Sequence, residues 1–266
     1  MEGWHSRVAD AVAEAKKKDA MILVDLYAEW CGWCKVLEEK VFTTDSFKAF
    51  AEKHNFVLLR VDTEDGADGS GLQTRFQAFS LPTTLIISDD FIKIGSIGGY
   101  APVDTFLQYI DQQLEAWKAI EINYPLVLES TDAELKRQLA EDLHKRGDGK
   151  RAAALYESVI RQVQPGTEAF AWLHYMAADA HRMGRDFDAA ERALDATRKL
   201  ADGLGDKAGE LPERLDLLSF YIAQDLGDCK DALSSIRSFL TSHPDSAMRP
   251  ALERAQKTLQ AAPACT

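Results

Sequence analysis

Several absences narrow the reading of this chain before any motif is considered. No apolar run reaches the roughly 20 residues that a membrane-spanning helix needs. The opening stretch, "MEGWHSRVADAVAEAKKKDA", holds no apolar core of the kind a secretory leader carries. It reads instead as an amphipathic helix, with Trp4, Val8, Val12 and Ala15 near helical spacing. The chain is therefore expected in the cytoplasm, with the periplasm as the alternative if a leader has been removed. Positive charge is in short supply: 31 Lys and Arg face 43 Asp and Glu, a net charge of -12. Such a surface repels nucleic acid and anionic membranes, so neither is expected as a partner. Cysteine is scarce too. Cys31, Cys34, Cys229 and Cys265 are too few and too unevenly placed for a disulfide-stapled scaffold. Only Cys31 and Cys34 form a Cys-x-x-Cys pair, and a closed zinc site needs about four Cys or His ligands. No metal or other cofactor is expected.

What remains is an ordinary globular mix, 46% hydrophobic and 28% charged over 266 residues, enough for one or two domains. The first 118 residues alternate two rhythms. "MILVDLY" (21–27), "FVLLRVD" (56–62), "TTLIIS" (83–88) and "FIKIGSI" (91–97) are short apolar runs that fit strands. Helical stretches are expected over 3–18, 32–40, 45–54, 70–79 and 102–117. This α-β-α-β-α-β-β-α order predicts a mixed sheet with helices on both faces. Residues 119–130 read as a linker, ending in a capping candidate, Thr131 or Asp132.

From 131 to 266 the strand signals stop and an internal repeat takes over. Gly147, Gly184 and Gly227 each have an alanine five residues later: Ala152, Ala189 and Ala232. A glycine permits a tight turn and an alanine permits close helix packing, so the pattern predicts about three stacked helical hairpins and a terminal helix near 247–260. It resembles a degenerate tetratricopeptide array, the other reading being a generic helical bundle. Such a stack offers a concave surface for a protein or peptide partner. His174 and His181 share a helix face but have no carboxylate to complete a metal site, and they read as packing or surface residues. Cys229 is expected to be partly exposed and Cys265 free.

The chemistry concentrates in "AEWCGWCK", residues 28–35. Cys31 follows a buried-type strand and opens a helix, where unpaired N–H groups and the helix dipole favour a thiolate. The thiolate is the reactive form of cysteine. Cys34 lies one helical turn on, within reach of the first sulfur. Cys31 can attack a substrate disulfide and Cys34 can resolve the mixed disulfide. Asp25 sits in an otherwise apolar strand, which is costly without a purpose. Pro82 in "SLPTT" precedes a strand, a place for a cis bond, and "IGGY" (97–100) supplies a small loop.

The segment "VDLYAEWCGWCK", together with Leu81–Pro82 and the element order, resembles the thioredoxin superfamily over about residues 1–118. The nearest likeness is to thioredoxin-like domains with Cys-Gly-Trp-Cys and a following Val41-Phe42. The C-terminal domain of DsbD-type transporters has a similar layout. The resemblance implies a thioredoxin fold and a protein-disulfide oxidoreductase acting on protein thiols and disulfides. It implies Cys31 as nucleophile, Cys34 as resolving thiol, Asp25 as proton acceptor for Cys34 through water, and Pro82 as the cis-proline. Trp30, Gly32, Trp33, Leu81, Ile97 and Gly98 would line the rim where substrate backbone docks. Two departures matter. The pair between the cysteines is Gly32-Trp33 rather than Gly-Pro, which bears on the direction of the reaction. Leu58 aligns with the lysine that neighbours the buried aspartate, so Asp25 is expected to feel less positive charge and to hold its proton more tightly. The insert "EDGADGSG" (64–71) has no function legible in the sequence. A second reading makes the repeats the working part, an adaptor or co-chaperone with the first domain as a docking platform.

Overall fold

A computed structural model describes residues 3–262 and 265. The chain divides into two compact units, Met1–Pro125 and Leu126–Thr266.

In the first unit five strands form one sheet: β1 (Trp4–His5), β2 (Ile22–Tyr27), β3 (Val57–Asp62), β4 (Thr83–Ile87) and β5 (Lys93–Gly98). Their order across the sheet is β1-β3-β2-β4-β5. β3 runs parallel to both β1 and β2, whereas β4 is antiparallel to β2 and β5. β2 is thus central. Ile22 to Leu26 are all buried, which explains why its sequence runs apolar without strict alternation.

Helices cover both faces. α1 (Val8–Lys18) and α4 (Asp68–Phe76) pack Ala11, Ala15 and Leu72 against Val24, Leu59 and Ile87. α2 (Gly32–Leu37), α3 (Asp45–Lys53) and α5 (Val103–Glu129) lie on the other face. There Leu37, Phe47, Phe50, Phe106 and Ile110 meet Leu23, Ile86 and Ile94. After Leu37 the helix widens into a π turn, Glu38–Phe42, which buries Val41 and Phe42. Trp4, expected in the first helix, belongs instead to the edge strand β1, stacks on Phe47 and packs at a tilt against Phe42. The aromatic packing outweighs the helical spacing that suggested otherwise.

The stretch 119–129, expected as a linker, continues α5 without a break despite Pro125. Its composition is helix-forming, and proline's missing donor is one bond among many in a helix of 27 residues. Asp132 caps the next helix, accepting hydrogen bonds from the N–H groups of Glu134 and Leu135.

The second unit is helical among the described residues: α6 (Ala133–Arg146), α7 (Gly149–Ile160), α8 (Glu168–Met183), α9 (Phe187–Leu204), α10 (Leu211–Leu226), α11 (Cys229–Ser242) and α12 (Arg249–Ala261). Each packs on its neighbour in sequence, and α8 also touches α10. Gly147 and Gly227 close α6 and α10 in the left-handed conformation, φ 87° and 75°. At the middle turn that conformation falls on Arg185, and Gly184 is right-handed. Gly184 is there for space, since a Cβ on it would press on Lys150 at 3.0 Å. Ala152 and Ala232 are buried as expected, but Ala189 is only half-buried and Ala190 takes its place in the core. His181 Nε2 donates to Glu157 Oε1 at 2.9 Å, and His174 packs edge-on against Phe170.

Cys265 is not free. It is disulfide-bonded to Cys229, across 36 residues of chain that hold α11 and α12.

Candidate active site

β2 delivers the site. Its last residues lead into Ala28–Trp30, and the chain turns into α2 with Cys31 as the N-cap. Cys31 is extended at φ -77°, and its Sγ accepts the backbone N–H of Cys34 at 3.1 Å. That contact is what a helix N-terminus offers a thiolate. In this structure the two sulfurs are joined, with S–S at 2.03 Å and the Cα atoms 5.3 Å apart. Cys34 is 1% exposed and Cys31 4%, so only an edge of the disulfide meets solvent.

The surroundings are apolar and open. Trp30 and Trp33 are 69% and 62% exposed. Trp33 stacks on Tyr100 with ring centroids 5.8 Å apart, and the Trp30 indole donates to Glu64 Oε1 at 2.8 Å. Gly32 is exposed between the cysteines. The Leu81–Pro82 bond is cis, and Leu81 packs against the cluster of Ala28, Cys31 and Cys34. Pro82 O accepts the N–H of Gly99 at 2.8 Å. Gly98 is exposed and pairs with Thr83. Ile97, expected on the rim, is instead 7% exposed and belongs to the core cluster under the sheet. Side chains alternate along β5, and its inward face takes Ile97.

Asp25 lies below. It is fully buried on β2, two residues from Leu23 and on the same face of the sheet. The expectation that Asp25 feels less positive charge is corrected here. β3 runs beside β2 in the register Leu23 to Leu58 and Asp25 to Arg60, so the cation next to Asp25 is Arg60. Its Nε stands 3.2 Å from Asp25 Oδ2, an ion pair without hydrogen-bond alignment. Its Nη2 forms an ion pair with Glu38 Oε2 at 2.7 Å, and its guanidinium lies over the Tyr27 ring, 4.1 Å from the centroid. Burial pushes the Asp25 carboxyl up to about 7, against the pull of Arg60 and with a push from Glu38. Its proton is held more tightly than usual, as expected, but desolvation is the reason and not a missing cation.

Arg60, Glu38 and Tyr27 escaped the sequence reading. Arg60 had a signal: a charged residue in an otherwise apolar strand. Glu38 had one too, lying four residues after Cys34 on the same helical side. Among the described residues no group of His, Cys, Asp and Glu is placed to hold a metal ion.

Comparison with known proteins bears on the same segment. Residues 3–88 match the thioredoxin-like family. The first unit is a thioredoxin fold. Its strand order, its mixed pairing and the turn from β2 into a cysteine-capped helix are those of that fold. The chain is 32% identical over 111 residues to the thiol:disulfide interchange protein DsbD of Ralstonia nicotianae, covering 41% of this chain and 18% of that protein. It is 29% identical over 103 residues to DsbD of Haemophilus influenzae, 38% of this chain and 17% of the relative. To DsbD 1 of Pseudomonas aeruginosa it is 37% identical over 92 residues, 33% and 15% of the two chains. The chain thus spans less than a fifth of the length of these relatives. Among solved structures, a DsbH oxidoreductase superposes with TM-score 0.38 at 19% identity, over 42% of this chain and 83% of its own. The oxidised DsbD C-terminal domain of Neisseria meningitidis gives 0.35 at 18%, over 40% and 90%.

Proposed function

We propose that this protein is a thiol–disulfide oxidoreductase that reduces disulfides in other proteins through the Cys31–Cys34 pair. The observation that carries this reading is the disulfide at the N-terminus of α2, edge-exposed among Trp30, Trp33 and Leu81 and underlain by the buried Asp25.

In the reduced protein the Cys31 thiolate attacks one sulfur of a substrate disulfide. The substrate S–S bond breaks, one substrate thiolate leaves and takes a proton, and a mixed disulfide forms. Cys34 then gives its proton to the Asp25 carboxylate, and its sulfur attacks Cys31 Sγ. The mixed disulfide breaks, the second substrate thiolate leaves, and the Cys31–Cys34 bond forms. Two electrons have passed to the substrate. A carboxyl that titrates near neutral pH suits the proton step, since it can both take and release a proton there. Trp30, Gly32, Trp33, Leu81, Pro82 and Gly98 form the rim on which substrate backbone docks.

The division of labour follows the sequence: a catalytic thioredoxin-like domain up to about 118, and a tetratricopeptide-like array from about 131 that holds a protein or peptide partner. In support, three turns of the array share one plan, in which Asp148, Asp186 and Asp228 each cap the following helix. No described helix is long and apolar enough to cross a membrane. The Cys229–Cys265 bond favours an oxidising compartment such as the periplasm over the cytoplasm, because disulfides persist there.

Turnover of a protein disulfide by purified variants tests the assignment. Cys31→Ser is expected to abolish it, and Cys34→Ser to accumulate mixed disulfides detectable by mass. Full turnover by Cys31→Ser sinks the reading.

A further inference from the structure

Asp25 is sealed: no part of it meets solvent. A group that takes the Cys34 proton in every cycle must pass it on before the next. A cavity beside its ion-pair partner offers a route. A cavity of about 150 Å³ is lined by Cys34, Arg60, Glu38, Tyr27, Ala28, Glu29 and Lys35. Its size admits a few water molecules. Arg60 joins this cavity to Asp25, its Nε 3.2 Å from Asp25 Oδ2. Both Asp25 carboxylate oxygens, Arg60 Nε and the neighbouring Thr84 Oγ1 are buried without a protein hydrogen-bond partner. Buried polar atoms in such a group are met by water. Glu38, also in the cavity lining, is 30% exposed in its side chain and holds the other prong of the same guanidinium.

We propose that Glu38 is the second carboxylate of a proton path, taking the Cys34 proton from Asp25 through water in the cavity and handing it to solvent, with Arg60 as the positioning residue that fixes the two carboxylates on one guanidinium. The step balances without a co-reactant. Asp25 returns to its anionic form, Glu38 is protonated in passing, and bulk water takes the proton. This inference rests on the oxidoreductase reading.

The groups that face Asp25 come from each neighbouring element. They are Arg60 beside it on β3, Thr84 beside it on β4, and Cys34 and Glu38 from the helix above. Tyr27, two residues along β2, carries the Arg60 guanidinium on its ring, and Asp62 pairs with Tyr27. Lys35 and Glu29 line the mouth. Arg60 contacts both carboxylates, the sealed Asp25 and the partly exposed Glu38.

The test is single-turnover reduction of a peptide disulfide by the full, pre-reduced chain between pH 6 and 8, with the mixed disulfide followed by mass. Glu38→Gln is expected to slow resolution at least about tenfold at pH 7 while the first attack keeps its rate. Added acetate, small enough for the cavity, is expected to restore much of the loss. Glu38→Asp, which keeps the carboxylate, should fall between. The proposal is overturned if Glu38→Gln resolves the mixed disulfide at the wild-type rate throughout. It is equally overturned if the slowed rate ignores acetate, which would leave Glu38 a merely electrostatic or packing role. If the wild-type chain reduces no peptide disulfide, the oxidoreductase reading has failed instead, and the two failures are told apart by that control.

Discussion

Asp25 makes the protein's stability depend on pH in an unusual sense. Its carboxyl is raised to about 7 in the folded chain from an ordinary 3.8. The folded state therefore binds the proton more tightly than the unfolded state between those values. Stability is fully present below pH 4 and is lost as pH rises toward 7, at about 1.4 kcal/mol per unit. Asp25→Asn removes this slope. Between pH 5 and 8 the oxidised wild type is expected to lose about 3 kcal/mol more than the variant in denaturant titrations. Equal slopes would mean that Asp25 is not held protonated. At this scale much was legible. Cys31, Cys34, Pro82 and Asp25 announce themselves by sequence context, because each breaks a local rule: thiols at a helix start, a proline before a strand, an acid among Val and Leu. Arg60, as the cation that faces Asp25, is not legible because the register between two strands is a tertiary fact. A slip of two residues keeps the same face and the same apolar pattern, so the sequence alone does not choose between them.

At the scale of elements, helix starts and turns were readable where side chains cap their own backbone. Asp132 was legible for that reason, and Asp148, Asp186 and Asp228 follow the same rule. The extent of α5 was not, since Pro125 and the change of rhythm argued for a break that the long helix absorbs. Nor was the role of Gly149. A Cβ there would lie 2.2 Å from Ala180 O and 2.3 Å from Gly184 N, so the start of α7 and the end of α8 touch backbone to backbone. Gly149→Ala is therefore expected to destabilise the second unit by about 1–3 kcal/mol, although alanine is the better helix former. A thermal melt of the variant checks it. A gain in stability would mean that the two helices separate at no cost.

On the scale of the molecule, the second disulfide changes what the chain says about its surroundings. α12 buries only Leu252 fully, and its other contacts, through Met248, Ala255 and Leu259, are partial. A helix so lightly held gains from a covalent tie at its far end. Removing it with Cys265→Ser, or reducing it, is expected to cost the second unit about 2–4 kcal/mol. Amide exchange in α12 should rise before exchange in α8 or α10. Uniform exchange in the variant and wild type would show that the tie is idle. Sequence inspection left Cys265 free because pairing across α11 and α12 depends on how two helices fold back, which no local pattern encodes.

The burial of the first disulfide has a consequence for selectivity in a crowded cell. Only a rim of Cys31 is open and Cys34 is closed off, while a broad aromatic apron surrounds them. A small ambient thiol meets that rim by rare, unoriented collisions. A protein that settles on the apron holds its sulfur in place for attack, and its local concentration replaces chance encounter. The dithiol behaves like an insulated conductor with one bare terminal. On the proposed oxidoreductase reading, leakage to the thiol pool is expected to be suppressed kinetically, with current flowing where a plug of the right shape is seated.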